Sequence, residues 1–174
     1  SIQKVTKAMK MVAAAKLRKS QENMEKARPY SERIKKLIAN LINDIDSSFL
    51  PLLKKTENDE NKTGFLIITA DRGLAGSFNT NIIKKAEIEI DKIGKENVTL
   101  FCVGKKGLEH FKKRDYNIIK YYQDCWINLN YNQAIEIGND LISTFLKNDV
   151  NSFYVIYNYF KNVGSQKLIF DKIL

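Results

Sequence analysis

The residues with the strongest claim to chemistry lie in one short run, Thr69-Ala70-Asp71-Arg72-Gly73-Leu74-Ala75-Gly76-Ser77-Phe78-Asn79. It holds an acid, a base and two glycines, and it directly follows an apolar stretch. In α/β proteins the turn after the first strand is where phosphates are held, by backbone N–H groups and a helix N-terminus. The residue pattern argues against that use here. There is no Gly-x-Gly-x-x-Gly and no Gly-Lys-Ser/Thr, and the second apolar run ends Phe101-Cys102-Val103-Gly104-Lys105 without an acid to hold a ribose. A tight turn, whose glycines permit unusual backbone angles, fits better than a nucleotide cradle. Asp71 and Arg72 are placed to pair with each other or to cap the following helix. One acid beside one base is not a catalytic constellation.

The other reactive side chains are scattered. His110, in the basic run Glu109-His110-Phe111-Lys112-Lys113, reads as an exposed surface residue. Cys102 falls in an apolar run and should be buried and inert, while Cys125 beside Trp126 reads as semi-exposed. One histidine and two cysteines do not complete the usual four-ligand zinc site. No metal or cofactor is expected. The aromatic run Phe153-Tyr154-Val155-Ile156-Tyr157 reads as a packed strand, not a stacking platform, because apolar residues fall on both of its faces.

Charge is the second signal. The net charge is +9, and residues 1–46 carry 11 Lys/Arg against 5 Asp/Glu. Within the first 21 residues there are six cations (Lys4, Lys7, Lys10, Lys16, Arg18, Lys19) and no acid. Such a block seeks an anionic partner: nucleic acid, an anionic membrane surface or an acidic protein.

The elements that carry these residues fall into two parts. Residues 1–50 are rich in good helix formers and predict one long helix, bent or restarted near Pro29. Ile2, Val5, Met9 and Val12 cluster on one face, with Lys4, Lys7 and Lys10 on the other. Ile34, Ile38, Leu41 and Ile45, spaced 4, 3 and 4, form a coiled-coil seam. A helix of that kind spans about 70 Å. A domain of the remaining size is about 30 Å across, so the helix must protrude and its seam needs a partner helix. Residues 51–64 read as a polar linker. Residues 65–174 alternate strand and helix: strands at Phe65–Thr69, Val98–Val103, Asn117–Tyr122, Phe153–Phe160 and Gln166–Phe170, helices at Asn79–Ile93, Lys105–Arg114 and Asn132–Leu146. Ile135, Leu141, Ile142 and Phe145 are expected to face inward from the last helix. This is an α/β domain with a mainly parallel sheet. The turn at residues 161–164 is too short for a crossover, which makes the last strand an antiparallel edge.

Three stretches together resemble the gamma subunit of rotary proton-driven ATP synthases: IQKVTKAMKMVAAAKLRKSQ at Ile2–Gln21, ITADRGLAGSFN ending at Asn79, and VIYNYFKNVGSQKLIFDKIL from Val155 to Leu174. They occur in the family's order across essentially the whole chain. The resemblance implies a long shaft helix joined to a Rossmann-like domain that binds no nucleotide, in a non-catalytic subunit turning inside a ring of alpha and beta subunits. It implies the epsilon subunit and the membrane ring of c subunits as further partners, no nucleic acid, and a peripheral location at the cytoplasmic face of a bacterial inner membrane or the matrix face of a mitochondrial one. Lys7, Met9 and Lys10 match the helix segment that meets the acidic catch region of beta, and Lys16, Arg18 and Lys19 extend that surface. Asp71, Arg72, Gly73 and Gly76 match the signature loop. Many members carry Cys where this chain has Ala75. The resemblance further implies residues before Ser1 and, after Leu174, a long C-terminal helix antiparallel to the first, the missing partner of Ile34, Ile38, Leu41 and Ile45. Two other readings compete. A protruding basic helix suits a nucleic-acid-binding module, although no aromatic residue is interleaved before Tyr30. A flavodoxin-like enzyme would need the absent phosphate signature.

Overall fold

The computed structural model describes residues 2–44, 50–53, 62–73, 76–127, 129–162 and 164–174. The chain divides into two compact units, Ser1–Phe49 and Leu50–Leu174. The first is a single helix, α1 (Ile2–Asp44), of 43 residues with Pro29 inside it. At 1.5 Å per residue it is about 65 Å long. Of the two outcomes expected at Pro29, a bend or a restart, the restart does not occur. A proline removes one backbone donor, and the strong helix formers on either side carry the helix through. The α1 face bearing Ile34, Leu37, Ile38 and Leu41 is exposed. Ile45 lies outside the described residues.

The second unit contains β1 (Thr63–Ile68), α2 (Phe78–Ile93), β2 (Val98–Val103), α3 (Lys105–Lys112), β3 (Ile118–Tyr122), α4 (Tyr131–Leu146), β4 (Ser152–Asn162) and β5 (Ser165–Lys172). The five strands form one sheet in the order β3-β2-β1-β4-β5. The β1–β2, β1–β4 and β2–β3 pairs are parallel, and β4–β5 is antiparallel. The short turn between β4 and β5 permits only the antiparallel return.

Both faces of the sheet are covered, which is why its central strands read as continuous apolar runs. Phe65, Ile67, Leu100, Cys102 and Ile156 pack on one face against Ile82, Ala86 and Ile90 of α2 and Leu108 and Phe111 of α3. Leu66, Phe101, Val103 and Phe153 pack on the other against Leu141 and Phe145 of α4, Cys125 and Val150. Tyr154 stacks on Phe170 at 4.8 Å and on Phe65 at 5.9 Å, so the aromatic strand is packing material. Helix α2 stops at Gly94, whose φ of +96° suits glycine. Helix α4 starts with a capping box, Asn130 and Gln133 bonding each other's backbone N–H.

Two burial assignments change. Ile135 is 42% exposed, and Ile137 packs against the core in its place. Cys125 is buried, not semi-exposed.

Thr63 sits opposite Ser152 at the start of β4. Phe153 exchanges backbone hydrogen bonds with Ile173 and Leu174.

Candidate functional site

The signature loop is bound on both sides by the protein itself. As the chain leaves β1 it crosses the N-terminus of α3. Gly107 N–H donates to Thr69 Oγ1 at 2.8 Å, and Lys105 N–H to Asp71 Oδ1 at 3.0 Å. Between them, Lys106 N–H donates to the Ala70 carbonyl at 3.1 Å. These are three of the N–H groups that a helix leaves without internal partners. Three oxygens of the loop satisfy them, in the place where a nucleotide-binding turn offers such donors to phosphate.

Thr69 is the hub. It is fully buried, and its hydroxyl donates to the Val103 carbonyl at 3.1 Å while accepting from Gly107. Its own carbonyl accepts from Trp126 Nε1–H at 3.0 Å. The approach is close because residue 104 is glycine. Its φ is +89°, and a Cβ there would lie 2.1 Å from the Thr69 carbonyl oxygen. On the α2 side, Ala70 N–H donates to Asn79 Oδ1 at 2.9 Å, and Asn79 Nδ2 to the Arg72 carbonyl at 3.3 Å.

This revises the role of Asp71. It caps α3, a helix 34 residues further on, instead of the following helix. No Asp71–Arg72 ion pair exists among the described residues. Arg72 and Gly73 are exposed, and Gly76 takes a φ of +56°. Leu74 and Ala75 lie outside the described residues. The sequence alone did not mark Thr69, Gly104, Gly107 or Trp126 as parts of this site. A glycine directly after β2 and another three residues later were the available signal.

The remaining titratable groups do not converge. Cys102 is fully buried and its thiol is pushed up to about 12 by burial. Burial raises the Cys125 thiol as well. Tyr122 donates to Asp140 at 2.6 Å, and burial, followed by that bond, raises its phenol. His110 is not the solvated residue expected: its side chain is 22% exposed and its Nε2 lies 2.7 Å from Glu87 on α2. No cluster of three metal-ligating side chains occurs among the described residues.

The basic face of α1 is the second candidate. Lys4, Lys7, Lys10, Lys16, Arg18 and Lys19 are all exposed, as is Met9 at 68%. Arg18 pairs with Glu22 at 3.0 Å. Among the described residues no carboxylate pairs with the five lysines. Helix geometry thus puts uncompensated cations and an apolar seam on one rod. The two units supply separate features: a self-satisfied loop in the sheet domain and a bare, cationic helix.

Comparison with known proteins decides the family. The chain is 42% identical over 179 residues to the ATP synthase gamma chain of Chlorobium phaeobacteroides and 44% identical over 179 residues to that of Chlorobium luteolum. A family model described as ATP synthase matches residues 1–174. The chain belongs to the ATP synthase gamma family. Both relatives align with 100% of the chain, which spans 61% of their length. The gamma-family fold is also that of a solved chain from the central stalk and c-ring of the Tetrahymena thermophila mitochondrial ATP synthase. That match has a TM-score of 0.72 and 26% identity, covering 98% of this chain and 72% of the other. A chain of the Euglena gracilis mitochondrial ATP synthase shares the fold at a TM-score of 0.51 and 18% identity. The long helix and the mainly parallel sheet with its antiparallel edge are thus gamma-family architecture. No described helix is long and apolar enough to cross a membrane.

Proposed function

We propose that this chain acts as the central-stalk rotor subunit of a proton-translocating ATP synthase, a non-catalytic shaft coupling proton flow through a c-subunit ring to ATP synthesis on the beta subunits. The observation that carries the reading is α1. It combines exposed cations with no acid before Glu22, and a bare apolar seam, in a chain of the gamma family. A shaft uses both features. Cations facing acidic loops give an attraction that re-forms at each rotational step, and the seam receives a second helix. On this reading Lys7, Met9 and Lys10, extended by Lys16, Arg18 and Lys19, face the alpha/beta ring. Ile34, Ile38, Leu41 and Ile45 pack against the C-terminal helix of the same protein. Epsilon and the c-ring hold the sheet domain, peripheral to the membrane at the cytoplasmic or matrix face. The signature loop of Asp71, Arg72, Gly73 and Gly76 is architectural, because its oxygens already hold α3.

The test is native mass spectrometry of the complex purified from its source through the full-length protein, wild type and Lys7→Glu/Lys10→Glu. Alpha, beta and epsilon subunits should accompany the wild type. At roughly 0.2–1 kcal/mol for each of two exposed charge contacts, the double reversal should weaken assembly about two- to thirtyfold at low salt. Recovery of the protein alone, or with nucleic acid bound in a steeply salt-dependent way, would overturn the assignment.

A further inference from the structure

Beside the signature loop, α2 and α3 border a cleft of about 370 Å³ that the rotor role does not use. Small-molecule sites run from roughly 300 to 1,000 Å³. Lys106, Glu109, Lys113 and Arg114 line it from α3 and the residues just after, Thr80 from α2, and Gly73 from the loop.

The charge of the lining is unbalanced. Three cations, Lys106, Lys113 and Arg114, stand against one acid, Glu109, an excess of two positive charges. Glu109 is taken by Lys106 at 2.8 Å. Among the described residues no carboxylate pairs with Lys113 or Arg114. Glu87 is not part of the lining, and its carboxylate is engaged by His110 Nε2 at 2.7 Å. Cations gathered in a concave site focus their field on an incoming anion.

The donors are also positioned. Arg114 Nη1 donates to the His110 carbonyl at 3.2 Å and lies 3.3 Å from the ring Nδ1. Both contacts use the same nitrogen, and Nε and Nη2 have no partner among the described residues. A guanidinium anchored in this way keeps one edge of its fork for an oxyanion. Lys106 keeps two of its three N–H donors beyond Glu109. Its stem runs beside the loop, since a Cβ on Gly73 would lie 3.7 Å from Lys106 Cε. These are side-chain donors. The backbone donors at the start of α3 are spent on Thr69 and Asp71, so the cleft is not the nucleotide cradle that the loop fails to form.

We propose that this cleft binds a phosphoryl anion, with Arg114 and Lys113 on its oxygens at one end and Lys106 at the other. An excess of two positive charges suits a compact dianion, which a phosphoryl group supplies at pH 7 and a single carboxylate does not. Lys106 and Lys113 are seven residues apart, about 10 Å along the helical path. With two lysine side chains reaching inward, that span suits two linked phosphoryl groups.

The test is an NMR titration of the ¹⁵N-labelled full-length protein with inorganic pyrophosphate at fixed ionic strength. The Thr80, Lys113 and Arg114 amide signals should move together and saturate at one anion per chain. Lys113→Gln/Arg114→Gln, with folding checked by Trp126 fluorescence, should weaken binding at least about tenfold, the loss of two charge-assisted contacts. Glu109→Gln removes the competing acid and frees Lys106, so it should tighten binding. Lys161→Gln/Lys172→Gln removes as much charge from the exposed strands β4 and β5 and should change it less than about twofold. Vesicles of phosphatidylcholine with phosphatidic acid separate the sources. Retention that falls in Lys113→Gln/Arg114→Gln makes the natural ligand a lipid headgroup, and any other result makes it a soluble phosphate. A response to pyrophosphate that never saturates, that is confined to α1 amides, that is equal in the two double variants, or that weakens in Glu109→Gln would each overturn the site.

Discussion

Thr69→Val tests the signature loop most directly, because it changes hydrogen bonding with almost no change of shape. The Thr69 side chain is fully buried and its hydroxyl makes two contacts that matter, accepting from Gly107 N–H and donating to the Val103 carbonyl. Valine leaves the buried Gly107 N–H without a partner, at a cost of about 1–3 kcal/mol. The Val103 carbonyl keeps its bond from Thr69 N–H at 2.8 Å, so its loss is small. The added methyl returns up to about 0.8 kcal/mol. The net loss is about 1–2 kcal/mol. With a urea slope of about 1–3 kcal/mol/M, the midpoint should fall by about 0.3–2 M at unchanged slope. The assay is built in. Trp126 is the single tryptophan, and its indole donates to the Thr69 carbonyl, so its fluorescence reports on this domain and this loop. Hydrogen exchange at the Gly107 amide should accelerate in parallel. A Thr69→Val protein as stable as wild type, with Gly107 still protected, would refute the view that the loop is held by these bonds.

Gly104→Ala combines a conformation nearly exclusive to glycine with a Cβ 2.1 Å from the Thr69 carbonyl oxygen; a loss of about 2–5 kcal/mol follows, read by the same urea titration. Native-state labelling with a thiol reagent at pH 8 should modify neither Cys102 nor Cys125, both buried with raised thiols, and unfolding should expose both. Glu89 is held below the usual 4.5 by hydrogen bonds from Lys85 and then Lys92. Its folded value is depressed, so its contribution is complete above pH 4.5 and fades as the pH falls through the lowered value; a Glu89→Gln variant should show a flatter stability profile below pH 5 in urea titrations.

The sequence showed what is local and missed what is distant in the chain. Continuous apolar runs announced the two-faced strands, and the short turn before β5 announced an antiparallel edge. Each rests on neighbours a few residues apart. Asp71 and Lys105 are far apart in sequence, and only the parallel pairing of β1 with β2 brings them together. The same holds for His110 and Glu87, which meet because α2 and α3 cover the same face of the sheet. Ile135 and Ile137 show a different limit. Both fit an apolar stripe on α4, and tertiary packing chose the second. Pro29 shows a third, since local geometry allowed either a bend or a restart and the flanking helix formers excluded the restart.

The side-by-side placement of Thr63, the start of β4 and Leu174 has a mechanical consequence. Thr63 opens β1 on one side of β4, and Leu174 lies beside Phe153 on the other. These points are separated by two strand spacings, about 10 Å. A torque or tension applied between them is therefore carried across one end of the sheet, and most of the domain hangs outside the line of force. Its core need not bear the load in order to move with it. The sheet domain can behave as a rigid body loaded at one corner, which follows an applied force without being wrung by it.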